Sequence, residues 1–295
     1  MKALFENLSS DLPQVASSLV NLITQLDTLD QGSHRSAGTS RSSSQQPSAA
    51  RLVPGGHHQV LLTTKGYQFS VEGDWRLKQK AIQKATRGGL AVALKVLRGS
   101  TDELDILSYL HDCGADKNHV ISLLDTIIAP DNVVIIVMPW LSPLDDFLVD
   151  GCPDVVGSLQ TQFLEGVCFL HKHGIAHLDL KPANVLVGRS SLLQLSIIDF
   201  GLSIRVEGEW TLVEGYQGTR SWTAPEVGTE DRPGFKYSAI LADRWACGKV
   251  LQYIAKSHAS HGVMMSNPEF DHACAQLLHS VPSKRPLLNS ILQLR

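Results

Sequence analysis

The chain is short of cysteine, of net charge and of long apolar runs, and each shortage closes off a class of protein. Its 295 residues hold five cysteines, at Cys113, Cys152, Cys168, Cys247 and Cys274. The number is odd and no two lie close together, which argues against a disulfide scaffold and against a zinc site. Reduced, mostly buried thiols in a cytoplasmic or nuclear protein are the expectation. The formal net charge is −3, so no strong field points to nucleic acid or to an anionic membrane. No apolar run approaches the length that spans a bilayer. The opening Met1-Lys2-Ala3-Leu4-Phe5-Glu6-Asn7 turns acidic and polar too soon for a signal peptide. What the chain does have is apolar bulk. Hydrophobic residues make up 43% of it, enough for a sizeable core in one domain or two lobes.

Three zones follow one another. In residues 1–30 the apolar positions Leu8, Leu12, Val15, Leu19, Leu22, Leu26 and Leu29 step by fours and threes, the spacing of a heptad seam. An amphipathic helix is expected there, with Ser10 or Asp11 as its cap and Pro13 in its first turn. At about three heptads it is marginal alone. It docks back on the domain, self-associates, or offers residues 8–29 to a helical partner. Residues 31–55 are rich in serine and carry almost no apolar surface to offset the entropy of ordering, so a flexible linker is expected. A folded domain over 56–295 follows. Its first part looks strand-rich, with Leu90–Leu97 and Val133–Met138 as strands. Between them, residues 102–110 place Glu103, Ile106, Leu107 and Leu110 at helical spacing. After Pro139-Trp140-Leu141 the pattern turns mainly helical.

Lys95 stands in a strand whose neighbours are all apolar. A lysine there is costly to desolvate unless a carboxylate or phosphate pairs with it, and Glu103 is the obvious candidate. Taken alone, the two also fit a surface lysine and a surface acid on an ordinary strand–helix unit. Further on, His177-Leu178-Asp179-Leu180-Lys181-Pro182-Ala183-Asn184 puts an acid, a lysine and an amide on one short loop. Fifteen residues after Asn184 comes Asp199-Phe200-Gly201, straight after the strand-like Leu195–Ile198. Two acids and an amide converging from two loops suit a site that holds metal-bound phosphate and orients a hydroxyl. His177 reads as a weak candidate for a base and a better one for a buried histidine under Phe200. His171 and His173 invite a metal reading, but no cysteine or acid stands at ligand spacing.

The loop resembles the catalytic loop of eukaryotic protein kinases of serine/threonine type, and Asp199-Phe200-Gly201 resembles their metal-binding tripeptide. Val92-Ala93-Leu94-Lys95 is similar to the family's third-strand motif, and Glu103-x-x-Ile106-Leu107 to the helix that supplies the lysine's ion-pair partner. Gly218–Glu226 looks like the end of an activation segment, whose glutamate pairs with a later arginine, here Arg285. Asp243–Gly248 is similar to the start of the long central helix, whose aspartate ties down the catalytic loop. The resemblance runs from about residue 60 to 294. The wording around Asp199 and Asp243 is also similar to a divergent kinase group of mushroom-type fungi.

The resemblance implies an α+β, bilobal fold, with a small β-rich lobe over 56–139 and a larger helical lobe over 142–295. It implies ATP and Mg2+ as cofactors and a protein substrate. Asp179 would orient the incoming hydroxyl, Lys181 would neutralise charge at the transferred group, and Lys95 held by Glu103 would bind phosphates. Asn184 and Asp199 would hold the metal. Gly73, Ala93, Met138, Pro139, Leu141 and Leu186 would bind the nucleotide. Lys181 with Thr219 is the serine/threonine-type pattern.

Four departures stand out. Val71–Lys78 keeps only Gly73 of three expected loop glycines, which weakens the backbone cover of phosphates. Leu178 replaces the arginine that normally receives a phosphate from the activation segment, so activity without phosphorylation between Gly201 and Thr219 is expected. Pro139 follows Met138 yet keeps the carbonyl that adenine uses, while the N–H comes from Leu141. The span from Asp243 to Arg285 is shorter than usual, which shrinks a surface that often docks substrates. An active kinase is the leading reading. A pseudokinase that keeps the fold as an interaction module is the alternative, and a small-molecule kinase is disfavoured by Ala224-Pro225-Glu226.

Overall fold

The structure, a computed structural model, describes residues 57–69, 82–97, 102–114, 118–130, 132–148, 153–189, 193–259 and 267–295. The heptad seam, the serine-rich stretch, Cys152 and the Gly73 stretch lie outside the described residues.

The first lobe opens with helix α1 (His57–Thr64), followed by strands β1 (Gln68–Phe69), β2 (Ile82–Arg87) and β3 (Leu90–Leu97). Helix α2 (Asp102–Asp112) precedes β4 (Asp125–Ile128) and β5 (Val134–Pro139). The five strands form one antiparallel sheet in the order β1-β2-β3-β5-β4. The β2–β3 hairpin turns on Gly88 and Gly89, both at positive φ (58° and 81°), the backbone that a tight two-residue hairpin requires. Along β3 the two-residue period sends Val92, Leu94 and Val96 to the outer face, where they pack with Leu62 and Tyr67 from α1 and the turn after it. That leaves Ala93 and Lys95 on the other face. On α2 the positions that bury Ile106, Leu107 and Leu110 also bury Glu103. The acids Asp102, Glu103 and Asp105 suit its first turn.

Helix α1 departs from the strand-rich expectation. Val60-Leu61-Leu62 is too short a run to show a period, and the outer face of the sheet needs covering. The fifth strand is shifted one residue, to Val134–Pro139, because Val133 takes part in a turn in which its carbonyl accepts the Ala129 N–H at 2.8 Å. Pro139 ends the strand opposite Val92.

The second lobe begins with β6 (Ser142–Pro143), α3 (Asp145–Leu148) and α4 (Pro153–Lys172), then β7 (Ile175–Ala176), β8 (Val185–Arg189) and β9 (Leu193–Ile197). Short strands β10 (Ile204–Arg205), β11 (Leu212–Val213) and β12 (Tyr237–Ser238) lead to α5 (Ala239–Ala259), α6 (Pro268–Gln276) and α7 (Leu288–Leu292). Strands β6, β8 and β9 form a small sheet, β10 pairs with β7, and β11 pairs with β12, all antiparallel. Leu159, Phe163, Leu164, Val167 and Leu170 of α4 pack in one core with Val250, Leu251 and Ile254 of α5. Val120, after α2, forms a parallel bridge to Ile197 and so ties the first lobe to β9. The chain is therefore α+β and bilobal, a sheet lobe on a helical lobe. Among the described residues no helix is long and apolar enough to cross a membrane.

Candidate functional site

The β8–β9 hairpin explains why two distant loops meet. Asn184 ends a 3-10 turn (Pro182–Asn184) just before β8, and Asp199 follows β9. Because the two strands pair, Val185 lies opposite Ile197, so both polar residues sit at the same end of the hairpin. Ile198 N–H donates to Asn184 O at 3.0 Å and fixes the junction.

The loop before it is pinned from below. Asp243 on α5 is 1% exposed, and its carboxylate accepts the backbone N–H of His177 (2.6 Å) and of Leu178 (2.8 Å). His171 Nε2 lies 3.3 Å from the same carboxylate. Leu178 has φ 63°, a left-handed backbone that a branched side chain adopts only under constraint. The carboxylate is that constraint. His177 Nδ1 accepts the Asp179 N–H (3.2 Å), so its Nε2 carries the proton that faces Ile198 O at 3.1 Å. Its ring centroid is 5.0 Å from that of Phe200. His177 is thus a packed, hydrogen-bonded strut. His173 stacks on Phe169 at 4.2 Å.

Asp179 is held from three directions. Lys181 Nζ donates to its Oδ2 at 2.6 Å, Asn184 Nδ2 to the same oxygen at 3.0 Å, and Thr219 Oγ1 to its Oδ1 at 2.7 Å. Lys181 also reaches Thr219 Oγ1 at 2.5 Å. Gly218 makes the approach of Thr219 possible. It has φ 112°, and a Cβ there would lie 2.7 Å from Leu178 O, so no other residue lets the segment sit this close to the loop.

Lys95 Nζ lies 2.6 Å from Glu103 Oε1 and 2.8 Å from Asp199 Oδ1. Burial pulls the Lys95 ammonium down, but the two carboxylates outweigh it and hold the pKa above the ordinary lysine value. Asp199 has φ 70°, which turns it back toward Lys95.

A cavity of about 550 Å3 opens between the lobes. Of the candidate site residues, Ala93, Lys95, Glu103, Met138, Pro139, Leu141, Leu186 and Asp199 line it. Asp179, Lys181 and Asn184 form the adjoining network, Asn184 buried beneath Asp179. Gly73 lies outside the described residues. Trp140 N–H donates to Ala91 O at 3.1 Å, so the stretch that joins β5 to β6 is anchored one residue before Leu141. The cavity is also lined by Ile82, Lys84, Ile121, Trp140, Asp145 and Asp146, which the sequence reading missed. Lys84 lies over the Trp140 ring at 4.8 Å. The β2–β3 register is the signal that could have found Lys84, since it pairs with Ala93; Asp145 and Asp146 carry no such signal.

The donor set fits a phosphate-bound Mg2+. Among the described residues no group of three or more His, Cys, Asp or Glu could hold a metal ion unaided. Mg2+ takes one or two carboxylates and completes its oxygen shell from phosphates and water, and Asp199 with the Asn184 amide supplies such hard oxygens. The pair Glu226–Arg285 closes in fork geometry, at 2.5 and 2.8 Å, with Arg285 buried.

The protein kinase domain family matches residues 80–290, well over half of the chain. Serine/threonine-protein kinase cds1 of Schizosaccharomyces pombe is 37% identical over 130 residues, which is 42% of this chain and 26% of that protein. Myosin light chain kinase family member 4 of Mus musculus is 30% identical over 220 residues, 71% of this chain and 54% of that protein. Serine/threonine-protein kinase 17A of Oryctolagus cuniculus is 42% identical over 100 residues, 34% of this chain and 23% of that protein. The chain spans about half or less of the length of these relatives. With the family matched across both lobes of the fold, this chain belongs to the protein kinases.

Proposed function

We propose that the chain is an active serine/threonine protein kinase that transfers the γ-phosphoryl group of ATP to a protein hydroxyl. One observation carries the reading: Lys95 is closed onto both Glu103 and Asp199, 2.6 and 2.8 Å away, on the wall of a cavity between the lobes. A nonfunctional relic has no physical reason to keep a partly buried cation between two acids there, since apolar residues fill such a space at no loss of stability.

In this reading Lys95, held by Glu103, draws the nucleotide's phosphate oxygens into the cleft. Ala93, Met138, Leu141 and Leu186 form the apolar slot for the base, with Pro139 O as acceptor and Leu141 N–H as donor. Asn184 and Asp199 would hold Mg2+, which would supply divalent charge to neutralise the nucleotide's phosphates. Asp179 orients the substrate hydroxyl and takes its proton on a carboxylate oxygen. Lys181 neutralises charge beside it, and Thr219 fixes the geometry of both. Reaction then needs positioning and charge neutralisation rather than a strong nucleophile. The names of the relatives and the Lys181–Thr219 contact support the serine/threonine class.

The glycine-poor stretch favours a second reading, a pseudokinase that binds partners without transfer. Radiolabelled ATP with dephosphorylated casein separates the two. Wild type is expected to label serine or threonine, and Asp179→Asn to lose at least about a hundredfold in rate. Equal background labelling by both proteins, together with a Mg-ATP-dependent rise in melting temperature, would leave the pseudokinase reading standing.

A further inference from the structure

The segment from Asp199 to Glu226 must leave a face of Asp179 open to a protein hydroxyl while its Thr219 stays hydrogen-bonded there, and three attachments set its course. Strand β10 pairs with β7, and Val206 N–H donates to Gly174 O at 2.7 Å. Strand β11 pairs with β12. Between them Glu209 is gripped twice: its carbonyl accepts the Ser238 hydroxyl at 2.5 Å, and its carboxylate pairs with Arg244 Nη2 on α5.

Arg244 is 6% exposed, and its Nε is buried with no hydrogen-bond partner among the described residues. Glu209 is therefore the acid that answers this guanidinium, and removing it strands a buried cation. Arg244 also follows Asp243, which holds the catalytic loop through the N–H groups of His177 and Leu178. Adjacent residues of one helix thus grip the loop and the segment.

No phosphate is needed for this grip. Leu178 precedes Asp179 where a cation would receive one, and it packs in an apolar cluster with Ala224, Val227 and Tyr237. Arg205 is engaged by the Tyr109 ring at 4.2 Å. Thr211 Oγ1 accepts the Gly208 N–H at 3.2 Å, inside the segment's own turn.

We propose that Arg244 and Glu209 form a permanent ionic tether that keeps the segment in its substrate-ready course in place of a phosphate. Both are positioning residues for the protein substrate. The proposal rests on the protein-kinase reading for its consequence in rate, but not for the tether itself.

Phosphatase-treated full chain is used, as wild type, Glu209→Gln, Arg244→Gln, Arg244→Lys and Thr211→Ala. Amide hydrogen exchange over residues 206–218 and kinetics with ATP and dephosphorylated casein are read together. In Glu209→Gln and Arg244→Gln, exchange across the segment is expected to quicken about ten- to a hundredfold, the range for losing one charged hydrogen bond. Their kcat/KM for casein falls in step, while KM for ATP stays within about twofold. Arg244→Lys, which keeps the charge, recovers most of both readouts, and Thr211→Ala matches wild type. Wild-type exchange and transfer in Glu209→Gln overturns the tether, and so does loss of wild-type activity on phosphatase treatment. If wild type transfers no phosphate at all, the kinase reading fails, and the exchange data alone still decide the tether. An Arg244→Gln chain with no cooperative unfolding transition is set aside in favour of Glu209→Gln, whose partly exposed side chain tolerates the change.

Discussion

Lys95 carries a charge into a place where burial opposes it. Desolvation lowers the pKa of its ammonium, and Glu103 and then Asp199 more than reverse that, so it ends above the ordinary lysine value. The sign follows. A lysine whose folded pKa is raised keeps its proton, and the stability its pairs contribute, at every pH below the unfolded value of about 10.4; both go only as pH climbs through the folded value. Glu103→Gln keeps the size of the side chain and removes the acid 2.6 Å away. Burial then gains on the one remaining carboxylate, and the lysine pKa moves down. Phosphotransfer is expected to fall about ten- to a hundredfold, the range for losing a charged hydrogen bond inside a site. The alkaline limb of the rate should also shift to lower pH. Rates measured between about pH 7 and pH 10 check this, the window in which a lowered lysine titrates. Two profiles that fall together at high pH would show that Glu103 does not sustain the charge.

Helix α5 is the element on which the site is built. Its Asp243 accepts two consecutive backbone N–H groups, and one belongs to Leu178 in a left-handed backbone that costs about 1–2 kcal/mol unaided. Asp243→Asn leaves one acceptor oxygen where two carboxylate oxygens served. A buried N–H is orphaned, and the variant is expected to lose about 2–3 kcal/mol of stability. Urea unfolding should show a lower midpoint at unchanged slope; a midpoint equal to wild type would mean that the loop holds its own shape. The elements that the sequence made legible are those with local signals. Strand β3 was readable from its apolar run, and α2 from the step between Glu103, Ile106, Leu107 and Leu110. The loop from His177 to Asn184 was readable from residue types at close spacing, because its pieces are neighbours in the chain. Helix α1 was not, since its burial is decided by a sheet formed later in the chain. The pair Arg244–Glu209 was not, because 35 residues separate its halves and no local pattern joins them. Asp145 and Asp146 reach the cavity only through the turn of the second lobe against the first.

Over the whole molecule, burial has made the folded state a proton store at alkaline pH. It pushes Cys168 and Cys274 up to about 12 and Cys247 well above its ordinary value. Tyr67 and Tyr237 are raised by the same desolvation, and Lys95 is raised by its two acids. Each of these groups holds its proton in the fold beyond the pH at which the unfolded chain releases it. The contribution is complete below the unfolded values and is lost as pH rises, first through the thiols near about 8.5, then through tyrosine and lysine near 10. The buried thiols of Cys247 and Cys274 each withdraw about 1 kcal/mol by about pH 9.5, and Cys168, which is partly exposed, withdraws less. Together that is about 2–3 kcal/mol out of the 5–15 typical of a native protein. Urea midpoints in reducing buffer are therefore expected to fall clearly between about pH 8 and pH 9.5, across the unfolded thiol range. The combined variant Cys168→Ala, Cys247→Ala, Cys274→Ala should show a lower midpoint at the start and a flatter decline, because its unfolded chain no longer has these three thiol protons to release. A wild-type midpoint that stays level over that interval, or a variant that declines as steeply, would show that these thiols do not govern alkaline stability.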